Sequence, residues 1–394
     1  MDYIKITLKP GKEDSFHRFH PWVFSGAIYR FEKQPEEGDI VEVTDHQGNF
    51  IGIGQYQIGS IAVRILTFKP EEINEQFYFK RLQEAYNVRL SLGLLNGEYN
   101  NTCRLVHGEG DNLPGLIIDL YNKTAVMQAH TPGMHYARHQ IAQALKSVLG
   151  NAIDNIYYKS ETTLPYKAEL DAENEYLLGG DAPNIATENG LKFYVDWVRG
   201  QKTGFFVDQR ENRALLERYA HGRSVLNMFC YTGGFSFYAM RGNAKLVHSV
   251  DSSSKAIDLT CKNVELNFPR DNRHQAFAED AFKFLDTMGD QYDLIILDPP
   301  AFAKHKKVLN NALQGYRKLN AKAFEKIRPG GILFTFSCSQ VVSKENFRLA
   351  VFSAAAQSGR NVRILHQLTQ PADHPVNIYH PEGEYLKGLV LYVE

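Results

Sequence analysis

The feature that most constrains this chain is a regular alternation of apolar runs and longer intervening segments after Phe205. Four runs, SVLNMF, KLVHSV, YDLIIL and GILFTFS, are of the kind buried in parallel sheets, and the segments between them can form covering helices. The last two candidate strands, NVRILHQL and KGLVLYVE, are separated by polar residues without room for a good helix. Residues 201–394 are therefore predicted to form a Rossmann-like α/β sheet that ends in an antiparallel hairpin.

The first 70 residues have a different, β-rich pattern. The short runs GDIVEVTD, NFIGIGQY and SIAVRILTF are rich in β-branched or aromatic residues and are separated by turn residues, which predicts a compact β-barrel. Pro70-Glu71-Glu72 then offers a proline and two acids at a helix start. A helix leading out of the barrel is predicted from apolar positions at roughly helical spacing: Ile73, Phe77, Leu82, Tyr86 and Leu90.

The middle of the chain is predicted to be an α+β domain. TCRLVHGEG and LPGLIIDLY flank a turn, TAVMQAHT follows, and a further hairpin is expected around Asn189-Gly190, with a helix near 135–149. The predicted domains are therefore a β-barrel over 1–70, a central α+β domain over 71–200 and the α/β domain over 201–394.

Composition limits the classes of function. No apolar run approaches the roughly 18 residues of a membrane span, and the start MDYIKITLKPGKEDS has no signal-peptide core, so we expect a cytoplasmic protein. The four cysteines, Cys103, Cys230, Cys261 and Cys338, form no C-x-x-C pair, which argues against disulfides and metals. The net charge of −1 means that any RNA-binding surface is local. The oligomeric state is open between a monomer and a homodimer.

A nucleotide-like ligand is indicated by the first two strands of the α/β domain. SVLNMFCYTGGF is a buried strand running into a glycine turn, and Asp251, about 20 residues on, ends the next strand where a carboxylate can hold ribose hydroxyls. The turn lacks the G-x-G-x-x-G order that brings a pyrophosphate onto a helix, so S-adenosylmethionine (SAM) fits better than a dinucleotide. Asp280 follows a third strand and is interpreted as an adenine contact or a helix N-cap, which are compatible roles.

The turn that begins at Asp298 is a candidate for binding a base. Pro299 and Pro300 remove two N–H donors and stiffen the turn, which leaves carbonyls free to accept from a nucleobase amine, and Phe302 could stack on that base. A plain strand-ending turn with a core phenylalanine is the alternative.

Cys338 ends the fifth strand on the same sheet edge and is the candidate nucleophile. Carbon 5 of a pyrimidine is too electron-poor to attack a methyl sulfonium until a thiolate adds to carbon 6. Such a thiolate requires a depressed thiol pKa. Positive charge nearby could lower that pKa and could also bind RNA phosphates. That charge is expected from Lys304 with His305, Lys306 and Lys307, for which a solvated loop is the alternative.

Taken together, the motifs resemble bacterial large-subunit ribosomal RNA cytosine-C5 methyltransferases that carry an N-terminal PUA domain. HRFHPWVFSGAI and VTDHQGNFIGIGQY are similar to the PUA portion, and RLVHGEGDNLPGLIIDLY is similar to the linking domain. QKTGFFVDQRENR, NMFCYTGGFS, LDPPAFAK and FSCS are similar to the motifs of a class I methyltransferase. The resemblance covers nearly the whole chain.

The resemblance implies a role for each candidate residue. Cys338 and Asp298 would be catalytic, with Cys338 the nucleophile and Asp298 in contact with the target base. The target base would lie against Pro299, Pro300, Phe302 and Lys304. The expected SAM-binding residues are Phe229, Tyr231, Gly233, Gly234, Asp251, Ser252, Asp280, Gln209 and Arg210.

The predicted function is formation of 5-methylcytidine in large-subunit ribosomal RNA through an adduct between Cys338 and carbon 6 of cytosine. Two alternatives remain open. An RNA purine N-methyltransferase of the same fold would keep its activity without Cys338, and a non-catalytic RNA-binding ribosome-assembly protein would fail to bind SAM.

Overall fold

The computed structural model describes residues 3–165, 170, 173–180, 182–303 and 305–394. The chain folds into two compact units. The first contains residues 1–190, 195–207 and 372–383, and the second contains residues 191–194, 208–371 and 384–394.

The first unit begins with a six-stranded sheet in the order β2-β6-β5-β4-β1-β3. Strands β1 and β4 are parallel, and the other neighbours are antiparallel. The three β-rich runs predicted from the sequence are its strands β4, β5 and β6. The bounds are β1 (Ile4–Leu8), α1 (Asp14–His17), β2 (Trp22–Phe24), β3 (Ile28–Phe31), β4 (Ile40–Thr44), β5 (Phe50–Tyr56) and β6 (Ile61–Thr67).

The helix that follows this sheet, α2 (Glu75–Ser91), begins later than predicted. The expected start at Pro70-Glu71-Glu72 was wrong because Asn74 supplies the cap: its side chain accepts a hydrogen bond from Phe77 N–H at 3.1 Å. Glu71 instead accepts a hydrogen bond from the Thr67 hydroxyl at 2.6 Å. Ile73 therefore lies outside the helix.

A second sheet of the first unit has the order β11-β10-β9-β8-β7. The expected hairpins are present as the antiparallel pairs β7–β8 and β8–β9. The helix expected near 135–149 is interrupted at Ala137. The turn expected at Asn189-Gly190 is present: the two residues have positive φ values of 50° and 80°, as a two-residue hairpin turn needs. The bounds are β7 (Thr102–His107), β8 (Leu116–Tyr121), β9 (Thr124–Ala129), α3 (Pro132–Tyr136), α4 (Arg138–Leu149), β10 (Asn155–Tyr158), β11 (Glu175–Leu178) and β12 (Ile185–Glu188). The next strand, β13 (Leu191–Tyr194), belongs to the second unit.

The second unit is built on a seven-stranded sheet in the order β16-β15-β14-β17-β18-β20-β19. Strands β14 to β18 are parallel, whereas β20 is antiparallel to both β18 and β19, as predicted. The carboxyl ends of the parallel strands share one edge, where open α/β sheets bind ligands. The bounds are α5 (Arg210–Tyr219), β14 (Ser224–Met228), α6 (Gly234–Arg241), β15 (Leu246–Asp251), α7 (Ser254–Asn267), β16 (His274–Ala278), α8 (Ala281–Thr287), β17 (Leu294–Leu297), α9 (Leu309–Lys326), β18 (Gly331–Ser337), α10 (Lys344–Ser358), β19 (Val362–Leu368) and β20 (Lys387–Val393).

Candidate active site

The turn between β14 and α6 has an unusual backbone. Phe229 and Tyr231 have positive φ values of 58° and 47°, and Gly233 has a φ of 81°. Positive φ in a bulky residue costs about 1–3 kcal/mol and is retained mainly where function needs the conformation. A Cβ placed on Gly233 would lie 2.6 Å from Thr260 Cγ2, so only glycine fits there. The turn is held in a single, strained shape, and Gly234 begins α6.

Asp251, the last residue of β15, is oriented by this turn. Its Oδ2 accepts a hydrogen bond from Tyr231 N–H, and its Oδ1 accepts one from Ser253 N–H, both at 2.9 Å. Ser252, which follows, is exposed. The structure thus brings the glycine turn and the acidic residue together, as the ribose-binding interpretation requires.

The chemistry of this corner fits SAM. The Thr232 hydroxyl of the same turn is buried and, within the described part of the chain, has no hydrogen-bond partner. A buried polar atom without a partner is uncommon and points to a ligand group at that place. Together with the Asp251 carboxylate, it provides the acceptor and hydroxyl chemistry that a ribose and an amino-acid tail need.

Asp280 is the N-cap of α8. Its Oδ1 accepts hydrogen bonds from Phe282 N–H and Lys283 N–H, both at 3.0 Å. The helix-cap interpretation is therefore present in the structure, and the exposed position of Asp280 is open to a ligand.

Asp298 follows β17 and lies in a polar network. Gln209 Nε2 donates to Asp298 Oδ2 at 3.1 Å, and Asn212 Nδ2 donates to Gln209 Oε1 at 2.6 Å. Burial of the Asp298 carboxyl raises its pKa to about 7, and the nearby Asp208 carboxylate acts in the same direction. The Gln209 hydrogen bond and Arg213 oppose this shift. Asp298 can therefore carry a proton near neutral pH.

Cys338 lies beside the Asp298 turn. Its half-buried thiol donates to the Pro299 carbonyl, with Sγ 3.9 Å from the oxygen. The Ser339 hydroxyl donates to the Ala303 carbonyl at 2.5 Å and joins the same two loops a second time. The thiol and the carboxyl thus share one edge of the sheet, as the sequence predicted.

Phe302 packs on Tyr316 of α9, with ring centroids 4.7 Å apart. Its position against the core matches the alternative interpretation of that residue as a core phenylalanine. Pro299 is buried and Pro300 is exposed. Lys304 lies outside the described residues, and its neighbours His305, Lys306 and Lys307 are exposed.

Comparisons with known proteins agree with this geometry. Residues 158–381 match the S-adenosylmethionine-dependent methyltransferase family, and residues 6–68 match the PUA-like domain family. A protein of Tolumonas auensis named ribosomal RNA large subunit methyltransferase I is 41% identical, over 98% of this chain and 98% of that protein. The chain belongs to the ribosomal RNA large subunit methyltransferase I family. An Escherichia coli protein of the same name is 37% identical, over 99% of each chain.

Solved structures show the same fold. A Streptococcus mutans protein described as a SAM-dependent methyltransferase has a TM-score of 0.84 and 23% identity, over 99% of this chain and 100% of that chain. A methyltransferase structure in complex with S-adenosylhomocysteine has a TM-score of 0.85 at the same identity and coverage. This member of the methyltransferase I family is thus a SAM-dependent methyltransferase with an N-terminal PUA-like domain.

Gln209 and Arg210 were also expected to bind SAM. Gln209 Nε2 donates to Asp298 Oδ2 at 3.1 Å. Arg210 is buried, and its Nε lies 3.3 Å from Glu211 Oε1.

Two further residues near the thiol were missed by sequence reasoning. Tyr316 is buried and accepts a hydrogen bond from the Ser337 hydroxyl at 2.9 Å, and burial raises its pKa to about 12 with smaller effects of Cys338 and Asp298. Lys387 begins β20 and is also buried. A lysine at the start of an apolar strand was the only sequence signal for it.

No helix among the described residues is long and apolar enough to cross a membrane. Within the same residues, no cluster of three or more His, Cys, Asp or Glu side chains could hold a metal ion.

Proposed function

We propose that this chain forms 5-methylcytidine in large-subunit ribosomal RNA, with Cys338 as the nucleophile. The observation that carries the proposal is the placement of the Cys338 thiol against the Pro299 carbonyl, next to Asp298. The names of its relatives, which refer to large-subunit ribosomal RNA, support the substrate class. Action on ribosomal RNA also supports a cytoplasmic location.

In the first step the Cys338 thiolate adds to carbon 6 of the target cytosine. A carbon–sulfur bond forms, and the electron pair of the 5,6 double bond moves to carbon 5 and into the ring. Protonated Asp298, with its pKa raised to about 7, donates a hydrogen bond at N3, where negative charge develops. The burial of Asp298 and the position of Cys338 against the Pro299 carbonyl support these proposed roles.

SAM, when bound, supplies the methyl cation that carbon 5 accepts. The residues proposed to hold it are Asp251 at the ribose, the turn from Phe229 to Gly234 with Ser252, and Asp280 at the adenine. A base then removes the proton from carbon 5, the double bond re-forms, and the carbon–sulfur bond breaks to return the Cys338 thiolate.

RNA binding is proposed to involve two regions. The first is the PUA-like domain, whose exposed Phe19 and Phe24 can stack on bases, and the second is the basic run at Lys304 to Lys307. The target cytosine must leave its stack, which costs a few kcal/mol and least for an unpaired base.

The division at about residues 70 and 200 remains our proposal for the functional domains.

The test is to incubate the protein with labelled SAM and unmodified large-subunit ribosomal RNA and to identify the methylated nucleoside by mass spectrometry. We expect 5-methylcytidine, and a loss of at least about 10³-fold in product with Cys338→Ala because the nucleophile is absent. Cys261→Ser, at an exposed cysteine, is the matched control and should keep wild-type activity. A methylated purine, or undiminished product from Cys338→Ala, would instead establish the purine N-methyltransferase alternative.

A further inference from the structure

Lys387 is a buried lysine beside the proposed nucleophile. It is 6% exposed and pairs with Ser337, the last residue of β18, in the register between β18 and β20. Its Nζ donates to the Ser339 carbonyl at 2.6 Å and to the Val342 carbonyl at 2.8 Å. The ammonium group is therefore anchored to the loop that follows Cys338.

This ammonium has no carboxylate within ion-pair distance in the described part of the chain. Glu384 is the carboxylate that acts on the pKa of Lys387, and it is paired with Lys344 at 2.6 Å. Burial lowers the pKa of Lys387 to about 8, and the largest opposing effect is that of Cys338. A buried cation is costly unless an anion compensates it.

Three other titratable groups near Cys338 or Lys387 in the described part of the chain do not fit this role. Tyr316 stays neutral at physiological pH because its pKa is about 12. Asp298 is neutral or negative and therefore supplies no positive charge. Lys344 is half exposed and engaged with Glu384. Lys387 is the buried cation that hydrogen bonds hold to the loop following Cys338, and Cys338 is the largest effect that raises the pKa of Lys387. Arg213 is also buried, but the charge it acts on is that of Asp298.

We propose that Lys387 is a positioning residue that stabilises the thiolate form of Cys338 through its ammonium charge and fixes the loop from Cys338 to Val342 through two carbonyls. The proposal rests on the proposed function for its role in catalysis. An opposite charge in a partly desolvated site favours the thiolate form of a cysteine. The exposed His305, Lys306 and Lys307 are then left for RNA phosphates.

The test is the pH dependence of alkylation of Cys338 by iodoacetamide, followed peptide by peptide in the intact protein without RNA. In Lys387→Met, we expect the midpoint for Cys338 to move to higher pH by about one unit or more, because the compensating charge is gone. Lys387→Arg should keep the midpoint near that of wild type. Exposed Cys261 in the same samples is the internal control and should not change.

Binding of SAM by calorimetry shows whether each variant is folded, and Lys387→Gln replaces Lys387→Met if the latter is not. An unmoved midpoint in the neutral variant, or an equal shift in Lys387→Arg, would overturn the proposal. Since the assay uses no RNA, a negative result is distinct from failure of the proposed function, which is read from the methylated nucleoside.

Discussion

At the scale of single residues, the site depends on groups whose charge is set by burial. Asp298 and Cys338 were predicted from the strands they follow, because the carboxyl ends of neighbouring parallel strands meet at one edge. Tyr316 and Lys387 could not be predicted, because they hydrogen-bond the residues around Cys338 from a helix and an antiparallel strand that are distant in sequence. Sequence spacing contains no information on such contacts.

The raised pKa of Asp298 predicts a pH dependence of activity. Since the protonated carboxyl is the active form, kcat/KM should fall as pH rises through about 7. In Asp298→Asn, the amide can still donate at N3 but does not titrate, so activity should be lower overall and the fall near pH 7 should disappear. The measurement is a pH profile of methylation for both proteins. A fall with the same midpoint in the variant would assign that titration to another group.

At the scale of elements, the turn before α6 shows what a motif can and cannot predict. The glycines and Asp251 were identified from their spacing, but the positive φ of Phe229 and Tyr231 was not, because bulky residues rarely adopt it. The predicted start of α2 was wrong for a related reason. A proline with two acids is a general helix signal, whereas the Asn74 cap is a specific hydrogen bond.

Gly233→Ala should weaken SAM binding by at least about 10-fold, because the new methyl group would meet Thr260 at 2.6 Å and shift the turn. Gly222→Ala is the matched control: its φ of 70° is strained alike, but a Cβ there meets no atom within 4 Å. Calorimetric titration with SAM measures both variants, and adding Thr260→Ser to Gly233→Ala should restore part of the affinity. Equal affinities for the two alanine variants would exclude the steric cause.

At the scale of the whole molecule, the parallel strands and closing antiparallel hairpin of the second unit and the β-rich start were predictable from hydrophobic patterns. The return of a late segment of the chain to the first unit was not predictable. Residues 372–383, predicted only as a polar loop between the last two strands, belong to the first unit. There, Arg89 donates to Asp111 at 2.5 and 2.8 Å and to the Asp373 carbonyl at 2.7 Å, a buried network with no pattern in the sequence.

Arg89→Met should lower the free energy of unfolding of the first unit by about 3–5 kcal/mol, because Asp111 would be left buried without its partner. Lys123→Met, which breaks the exposed pair with Asp154, is the control and should cost no more than about 1 kcal/mol. Urea unfolding followed by circular dichroism compares them. Similar losses in both variants would show that the network does not stabilise the unit.

RNA affinity should fall on charge reversal of the exposed Lys306 and Lys307. Each lost phosphate contact should reduce the slope of log affinity against log salt by about one unit. Lys5→Glu, at an exposed lysine of the first sheet, serves as the control for net charge. Filter binding at several salt concentrations measures both. An unchanged slope in the double variant would leave the PUA-like domain as the main anchor.

The most direct test of the central claim is to trap the bond between Cys338 and carbon 6. With large-subunit RNA that contains 5-fluorocytidine, the fluorine cannot leave carbon 5 as a proton does, so the enzyme should stop as a covalent protein–RNA complex in the presence of SAM. We predict that mass spectrometry of the digested complex finds the nucleotide on the Cys338 peptide and that Cys338→Ala gives no complex. Methylation of normal RNA without any trapped adduct, or an adduct that persists in Cys338→Ala, would contradict the account.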